Sequence, residues 1–309
     1  MDRRASYLHR LRTIDHDCKN ICRYSRNLTL LAAEGELPRC YARSKEIEEI
    51  RIALRRRTKP NVILLGPSGC GKTAIVEGLA QVLEEELYAN SLSKLKEEDD
   101  ECILPGISEV ASPELPLVME LLSGNLLAGA KYRGEFEERL EAIINELRST
   151  DKKVLLFIDE AHMLTTLGEA EGAVSAANLL KPALARGEFC VITATTTDEF
   201  NECLSKDKAL TRRFNRIDVK SIPADEQPEC AVQIIQEYSN TFHIPIDSKI
   251  DKDFITQVIE GPLSKELFPC KFVDIVDQMF AEASYRKLEC VTKQLMQSTL
   301  FQQAGCLVV

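Results

Sequence analysis

Asn61-Val-Ile-Leu-Leu-Gly-Pro-Ser-Gly-Cys-Gly-Lys-Thr73 is the stretch whose reading decides the fold. Asn61 to Leu65 is a short apolar run closed by Gly66, as expected of a strand buried on both faces. Gly66, Pro67, Ser68, Gly69, Cys70, Gly71, Lys72 and Thr73 fit the pattern G-x-x-x-x-G-K-[ST], and Thr73 to Leu87 carries helical spacing after it. A strand, a glycine-rich turn and a helix mouth in that order suit one chemistry. The glycines let successive backbone N–H groups curl around a phosphate, and the helix N-terminus adds partial positive charge. Lys72 is spaced to reach the outer phosphates of a nucleoside triphosphate, and the Thr73 hydroxyl to ligate its Mg²⁺.

Outward from this point, strands and helices alternate. Leu117 to Leu122, Val154 to Ile158, Cys190 to Ala194 and Asn215 to Val219 read as further strands. Leu28 to Glu36, Ser44 to Arg57, Glu135 to Arg148 and Ala173 to Arg186 read as helices. Residues 1 to about 20 are polar without a clear period, and Asn90 to Pro113, with its acidic run Glu97 to Glu101, reads as a solvated loop or insertion. After Pro223 only helices are expected, over 228–241, 251–259 and 270–300. The expectation is an α/β fold with a parallel sheet core followed by a small helical lid domain. The boundaries expected are a basic N-terminal arm at 1–22, a large α/β domain at 23–221 and the helical domain with its tail at 222–309.

The strongest strand, Val154 to Ile158, ends in Asp159 and Glu160. In a parallel sheet that end lies at the carboxyl edge where ligands bind. Asp159 is the candidate to hold Mg²⁺ through water, and Glu160 the candidate to orient and polarise an attacking water. A protein that only bound nucleotide would not need the second acid.

Bulk composition bounds the rest. The chain has 309 residues, 44% of them hydrophobic and 28% charged, with a formal net charge of −10. That balance argues against a nucleic-acid partner, which calls for a basic face, and no apolar run is long enough to cross a bilayer. The eleven cysteines have no paired spacing and read as free thiols in a reducing compartment. The cytoplasm is expected, with the mitochondrial matrix as the alternative raised by the Arg-rich N-terminus and weakened by its acids.

The motifs then taken together resemble the first ATPase domain of ClpB-type Clp chaperones, the protein disaggregases of the AAA+ superfamily. The similarity runs from about Arg23 to Ala283, through GKTAIVEGLAQ (71–81), AGAKYRGEFEERL (128–140), LFIDEAH (156–162), AANLLKPALARGE (176–188), ATTTDEF (194–200) and KDKALTRRF (206–214). The resemblance implies an AAA+ P-loop NTPase fold that takes ATP and Mg²⁺ as a homo-hexamer, or in a mixed ring with relatives, and pulls a polypeptide substrate with no role for nucleic acid or membrane. By it, Thr196 is the polar sensor of the γ-phosphate, and Arg212 and Arg213 are arginine fingers reaching a neighbouring subunit's nucleotide. Lys131, Tyr132, Arg133 and Gly134 form the pore loop whose ring grips substrate, with Glu169 to Ala173 as a second loop. Tyr41 and Ala42 fall where the family packs against adenine.

The resemblance also has gaps. Ala42 replaces a family glycine, Leu122 and Cys270 replace family acids, and Cys70 brings a thiol into the phosphate loop. The family's N-terminal docking domain, coiled-coil middle domain and second ATPase ring have no counterpart in this sequence. Two alternatives follow: a single-ring regulatory or scaffold module that binds ATP and modulates a full-length relative, and a different P-loop ATPase acting on nucleic acid as a clamp or helicase loader.

Overall fold

The computed structural model describes residues 3–12, 18–99, 116–128, 133–150, 153–162, 176–264 and 267–304. The chain divides into two compact units: Met1–Cys40, Lys45–Leu65 and Lys72–Asp218 form the first, and Tyr41–Ser44, Gly66–Gly71 and Val219–Val309 the second.

The first unit is built on a six-stranded sheet of β1 (Ser25–Asn27), β2 (Asn61–Leu65), β3 (Leu117–Leu121), β4 (Val154–Ile158), β5 (Cys190–Thr195) and β6 (Phe214–Asp218), in the order β1-β3-β4-β5-β2-β6. Every neighbouring pair is parallel except β1 with β3. Residues of β2, β3 and β4 are buried throughout, as mainly apolar runs require of strands covered on both faces. Each such Val, Leu, Ile or Phe side chain removed from water contributes roughly 1.5–3 kcal/mol. Asn61 is the polar exception in β2: its Oδ1 accepts the Val191 amide at 3.0 Å and its Nδ2 donates to the Arg213 carbonyl at 3.3 Å. One buried amide thus ties β2 to the start of β5 and to the residue before β6.

The helices of this unit are α1 (Arg3–Arg12), α2 (Lys19–Tyr24), α3 (Leu28–Glu34), α4 (Ser44–Leu54), α5 (Lys72–Asp99), α6 (Ser123–Leu127), α7 (Arg133–Ser149), α8 (Ala176–Arg186), the one-turn α9 (Thr197–Glu199), which runs into a π-helical turn at Phe200–Leu204, and α10 (Lys208–Thr211). The second unit holds α11 (Gln227–Phe242), α12 (Lys252–Glu260), α13 (Cys270–Tyr285) and α14 (Lys293–Ala304) around its own core of Phe254, Val258, Phe272, Ile275, Met279, Phe280 and Met296.

The α/β class and the all-helical end agree with the sequence reading, three local expectations are corrected, and one strand is added. Residues 3–12 are a helix rather than an aperiodic arm. Tyr7 and Leu11, four positions apart, enter the core, and the arginines that mask this period in the sequence are themselves used. Arg4 donates to Glu84 Oε1 and to the Ala33 carbonyl, both at 2.8 Å, and lies over the Tyr7 and Tyr88 rings. The polar stretch from Asn90 continues α5 as far as Asp99. It contains no Gly or Pro and is rich in Leu, Lys and Glu, so propensity carries the helix where polarity suggested a loop. Residues 100–113 of that stretch lie outside the described residues. The helix expected over 270–300 is two helices. Between them Val291 bonds the Pro245 carbonyl and the Asp247 amide, both at 2.9 Å, in a bridge that withdraws its backbone from helical pairing. Finally, β1 is a three-residue antiparallel edge strand. Its sequence Ser-Arg-Asn has no strand period, but Arg26 Nε donates to buried Glu120 of β3 at 2.7 Å.

Candidate active site

At the carboxyl end of β4, the Thr73 hydroxyl donates to Asp159 Oδ2 at 2.7 Å. Thr73 stands on the first turn of α5, so the strand end and the helix mouth are joined by this bond alone among the described side-chain bonds of the two residues. Glu160 follows with φ 55°, a left-handed conformation that costs a non-glycine residue about 1–2 kcal/mol. Its amide donates to Asp159 Oδ1 at 2.9 Å, and its carboxylate side is 55% exposed, open to water. Strain of this kind persists where the surroundings over-determine it, and it gathers at functional sites.

The neighbouring end of β5 is built differently. The Thr195 hydroxyl donates to Glu199 Oε2 at 2.8 Å, the Thr196 amide donates to the same oxygen at 3.0 Å, and the Glu199 amide returns a bond to Thr196 Oγ1 at 3.2 Å. This is a capping box on α9, with Thr196 as the N-cap. The Thr196 amide, first among its partners, and the two threonine hydroxyls hold the Glu199 carboxyl down at about 2. His162 lies between the two ends, its Nδ1 at 3.2 Å from Glu160 Oε2 and 3.3 Å from Glu199 Oε2.

The phosphate-loop residues Gly66–Gly71 belong to the second unit and run in sequence straight into Lys72. Gly69 and Gly71 have φ of 77° and 92°, which a side chain would strain, and a Cβ on Gly66 would meet the Val219 carbonyl oxygen at 2.3 Å. Cys70 is fully buried, and its carbonyl accepts Arg43 Nη2 at 2.7 Å. The thiol that Cys70 brings into the loop is therefore shielded, while Cys270 of the same unit is exposed. Tyr41 donates its hydroxyl to Glu237, and Ala42 sits exposed at φ 53°, the conformation that suits the glycine it replaces.

Arg212 closes α10 and Arg213 precedes β6. Arg212 is exposed and Arg213 half-buried, and neither guanidinium makes a hydrogen bond or ion pair among the described residues. By contrast Arg26, Arg139 and Arg148 are all engaged. Of the expected pore loop, Lys131 and Tyr132 lie outside the described residues, and Arg133 and Gly134 open α7. Glu169 to Ala173 also lie outside.

Residues 62–221 match the profile of the ATPase family associated with various cellular activities. The chain belongs to the AAA ATPase family. Within that family it is 35% identical over 292 residues to the chaperone protein ClpB of Bdellovibrio bacteriovorus, covering 91% of this chain and 31% of that protein. It is 37% identical over 265 residues to the negative regulator of genetic competence ClpC/MecB of Bacillus subtilis, covering 85% and 30%. A closed-state reconstruction of Hsp104 with ATPyS and FITC casein superposes with a TM-score of 0.72 at 30% identity, over 93% of this chain and 45% of that one. The chain thus spans about a third of the length of the Clp relatives and under half of the Hsp104 chain.

Two participants of this AAA site carried no assigned role in the sequence reading: His162 and Glu199. Both stood inside quoted motifs. The spacing Thr196-x-x-Glu199 is the capping-box signature and was sufficient to place Glu199. Nothing in the sequence placed His162 between two strand ends, because that depends on β4 and β5 being neighbours.

Proposed function

We propose that this chain binds ATP with Mg²⁺, hydrolyses it, and uses the hydrolysis to thread polypeptide through a ring of subunits. The observation that carries the reading is the 2.7 Å bond from Thr73 to Asp159, which brings two hard oxygen donors together beside Glu160. A hydroxyl and a carboxylate are the donors Mg²⁺ prefers, so the pair fits that ion, with Thr73 and Asp159 as its protein ligands. The ion supplies charge neutralisation at the phosphates. The chain's own residues supply the rest. The loop amides and Lys72 cradle the β- and γ-phosphates, and Tyr41 and Ala42 line the adenine side. Glu160, with its carboxylate open to solvent, orients the attacking water. Thr196 senses the γ-phosphate at the end of β5. Two unengaged guanidiniums, Arg212 and Arg213, suit fingers that act on a neighbour's nucleotide, and such a finger is worth about 10³–10⁵ in rate.

The ring and its polypeptide are supported by kinship to ClpB and by the casein bound in the Hsp104 assembly. The test is turnover per subunit against protein concentration, alongside sizing with ATP. Turnover that rises as subunits assemble supports fingers acting in trans. A constant rate per subunit at every dilution, from a protein that stays monomeric, contradicts the motor and favours the regulatory alternative. Tyr132→Ala should keep ATP turnover while losing substrate unfolding, read on a tagged substrate protein.

A further inference from the structure

We propose that His162 is a positioning residue that fastens the water-orienting carboxylate of Glu160 to the Thr195–Thr196–Glu199 cap. The proposal rests on Glu160 being the acid that orients the hydrolytic water, and it adds the means by which that acid is held.

The argument begins with what Glu160 lacks. Its backbone is left-handed and its side chain half-exposed, so neither local conformation nor packing fixes the carboxylate. Its polar contacts among the described residues are its own amide to Asp159 and the His162 imidazole at 3.2 Å. His162 is the more constrained partner, at 25% side-chain exposure. Its buried Nδ1 is also 3.3 Å from Glu199 Oε2, so it stands within ion-pair distance of both carboxylates without a formed hydrogen bond to either. Glu199 is the fixed point. It takes bonds from the Thr195 hydroxyl and the Thr196 amide on Oε2, and its own amide is tied back to Thr196. Its carboxyl stays ionised through this bonding, so it offers a permanent negative charge to the imidazole.

The result is a continuous chain of polar contacts from the end of β5 to the end of β4: Thr196 to Glu199, Glu199 to His162, His162 to Glu160. Strands β4 and β5 are adjacent and parallel, with Ile158 opposite Thr193, so both ends project at one sheet edge. A displacement of the Thr196 cap on meeting a γ-phosphate is transmitted to the water-orienting acid through the imidazole. Orientation of a catalytic group by a second polar residue follows the same logic as carboxylate–histidine pairs elsewhere. Donor atoms of Glu160, His162 and Glu199 lie within 4.8 Å of one another, and one imidazole shared by two acids accounts for that closeness.

The test is steady-state ATP hydrolysis by the 309-residue chain carrying His162→Asn, His162→Phe or Glu160→Gln, with folding checked by circular dichroism. Asn keeps an N–H donor near the Nδ1 position, whereas Phe keeps the bulk without a donor. The proposal expects His162→Phe to lose about tenfold in kcat with KM changed less than twofold, a fraction of what a positioned base supplies. His162→Asn should recover most of that loss. Equal kcat in the Phe variant and the unaltered chain, or equal loss in Asn and Phe, overturns it. If Glu160→Gln hydrolyses ATP like the unaltered chain, the assignment of Glu160 is what has failed, and the proposal falls with it. Loss in Glu160→Gln without loss in His162→Phe removes the proposal alone.

Discussion

The ends of β4 and β5 lie side by side in one sheet and are made by opposite means. At β5, Thr195, Thr196 and Glu199 satisfy one another in a closed set of bonds, with ordinary backbone geometry and a strongly depressed carboxyl. At β4, Glu160 is strained, exposed and held through few contacts. The first end is a rigid reference. The second is a group left free enough to meet water, at a cost in backbone energy. An active site of this design separates what measures the ligand from what acts on it, then needs a link between them.

The comparison is broken most severely at β4. Glu160→Gln should lower ATP turnover by about 10²–10⁴-fold while ATP still binds, as read by turnover and by equilibrium binding. A change at β5 acts on stability as well. Glu199→Gln removes the ionised acceptor of the cap, and should lower unfolding stability by about 1–2 kcal/mol in urea titration at pH 7. The same residue gives a pH signature. Its folded pKa of about 2 lies below the unfolded carboxylate value of about 4.3, so the stabilisation is present above that value and is lost as pH falls toward 2. The unaltered chain should therefore lose more stability than Glu199→Gln between pH 5 and 2, an acid titration followed by circular dichroism.

Glu160→Gly sharpens the contrast from the other side. It relieves the left-handed strain, so stability should rise by about 0.5–1 kcal/mol even as turnover is lost. Ala42→Gly in the second unit tests the same physics away from catalysis, with an expected gain of up to about 0.5 kcal/mol in thermal or urea unfolding. A loss of stability in either variant contradicts the strain account.

Much of this was legible beforehand where one residue type has one job. Asn61 to Thr73 announced a strand, a phosphate loop and a helix because apolar runs, glycines and a Lys-Thr pair each have a narrow physical use. Val154 to Glu160 did the same. What stayed hidden depended on long-range pairing. Arg3 to Arg12 looked like a solvated arm because its arginines outnumber its two core residues, yet Arg4 engages Glu84, Ala33 and Tyr88, and Arg12 engages Glu34. Asn90 to Asp99 looked like a loop because polarity was read without propensity. His162 could not be placed until β4 and β5 were known to be neighbours, for its partners lie two residues before it and thirty-seven after it, at 160 and 199.

The most direct test of the whole account is ATP binding and turnover measured together, with magnesium, on the unaltered chain and on Glu160→Gln. The account predicts equal affinity in the two proteins, with turnover in the variant down by at least about a hundredfold. Failure of the unaltered chain to take up ATP, or equal turnover in both, would contradict it.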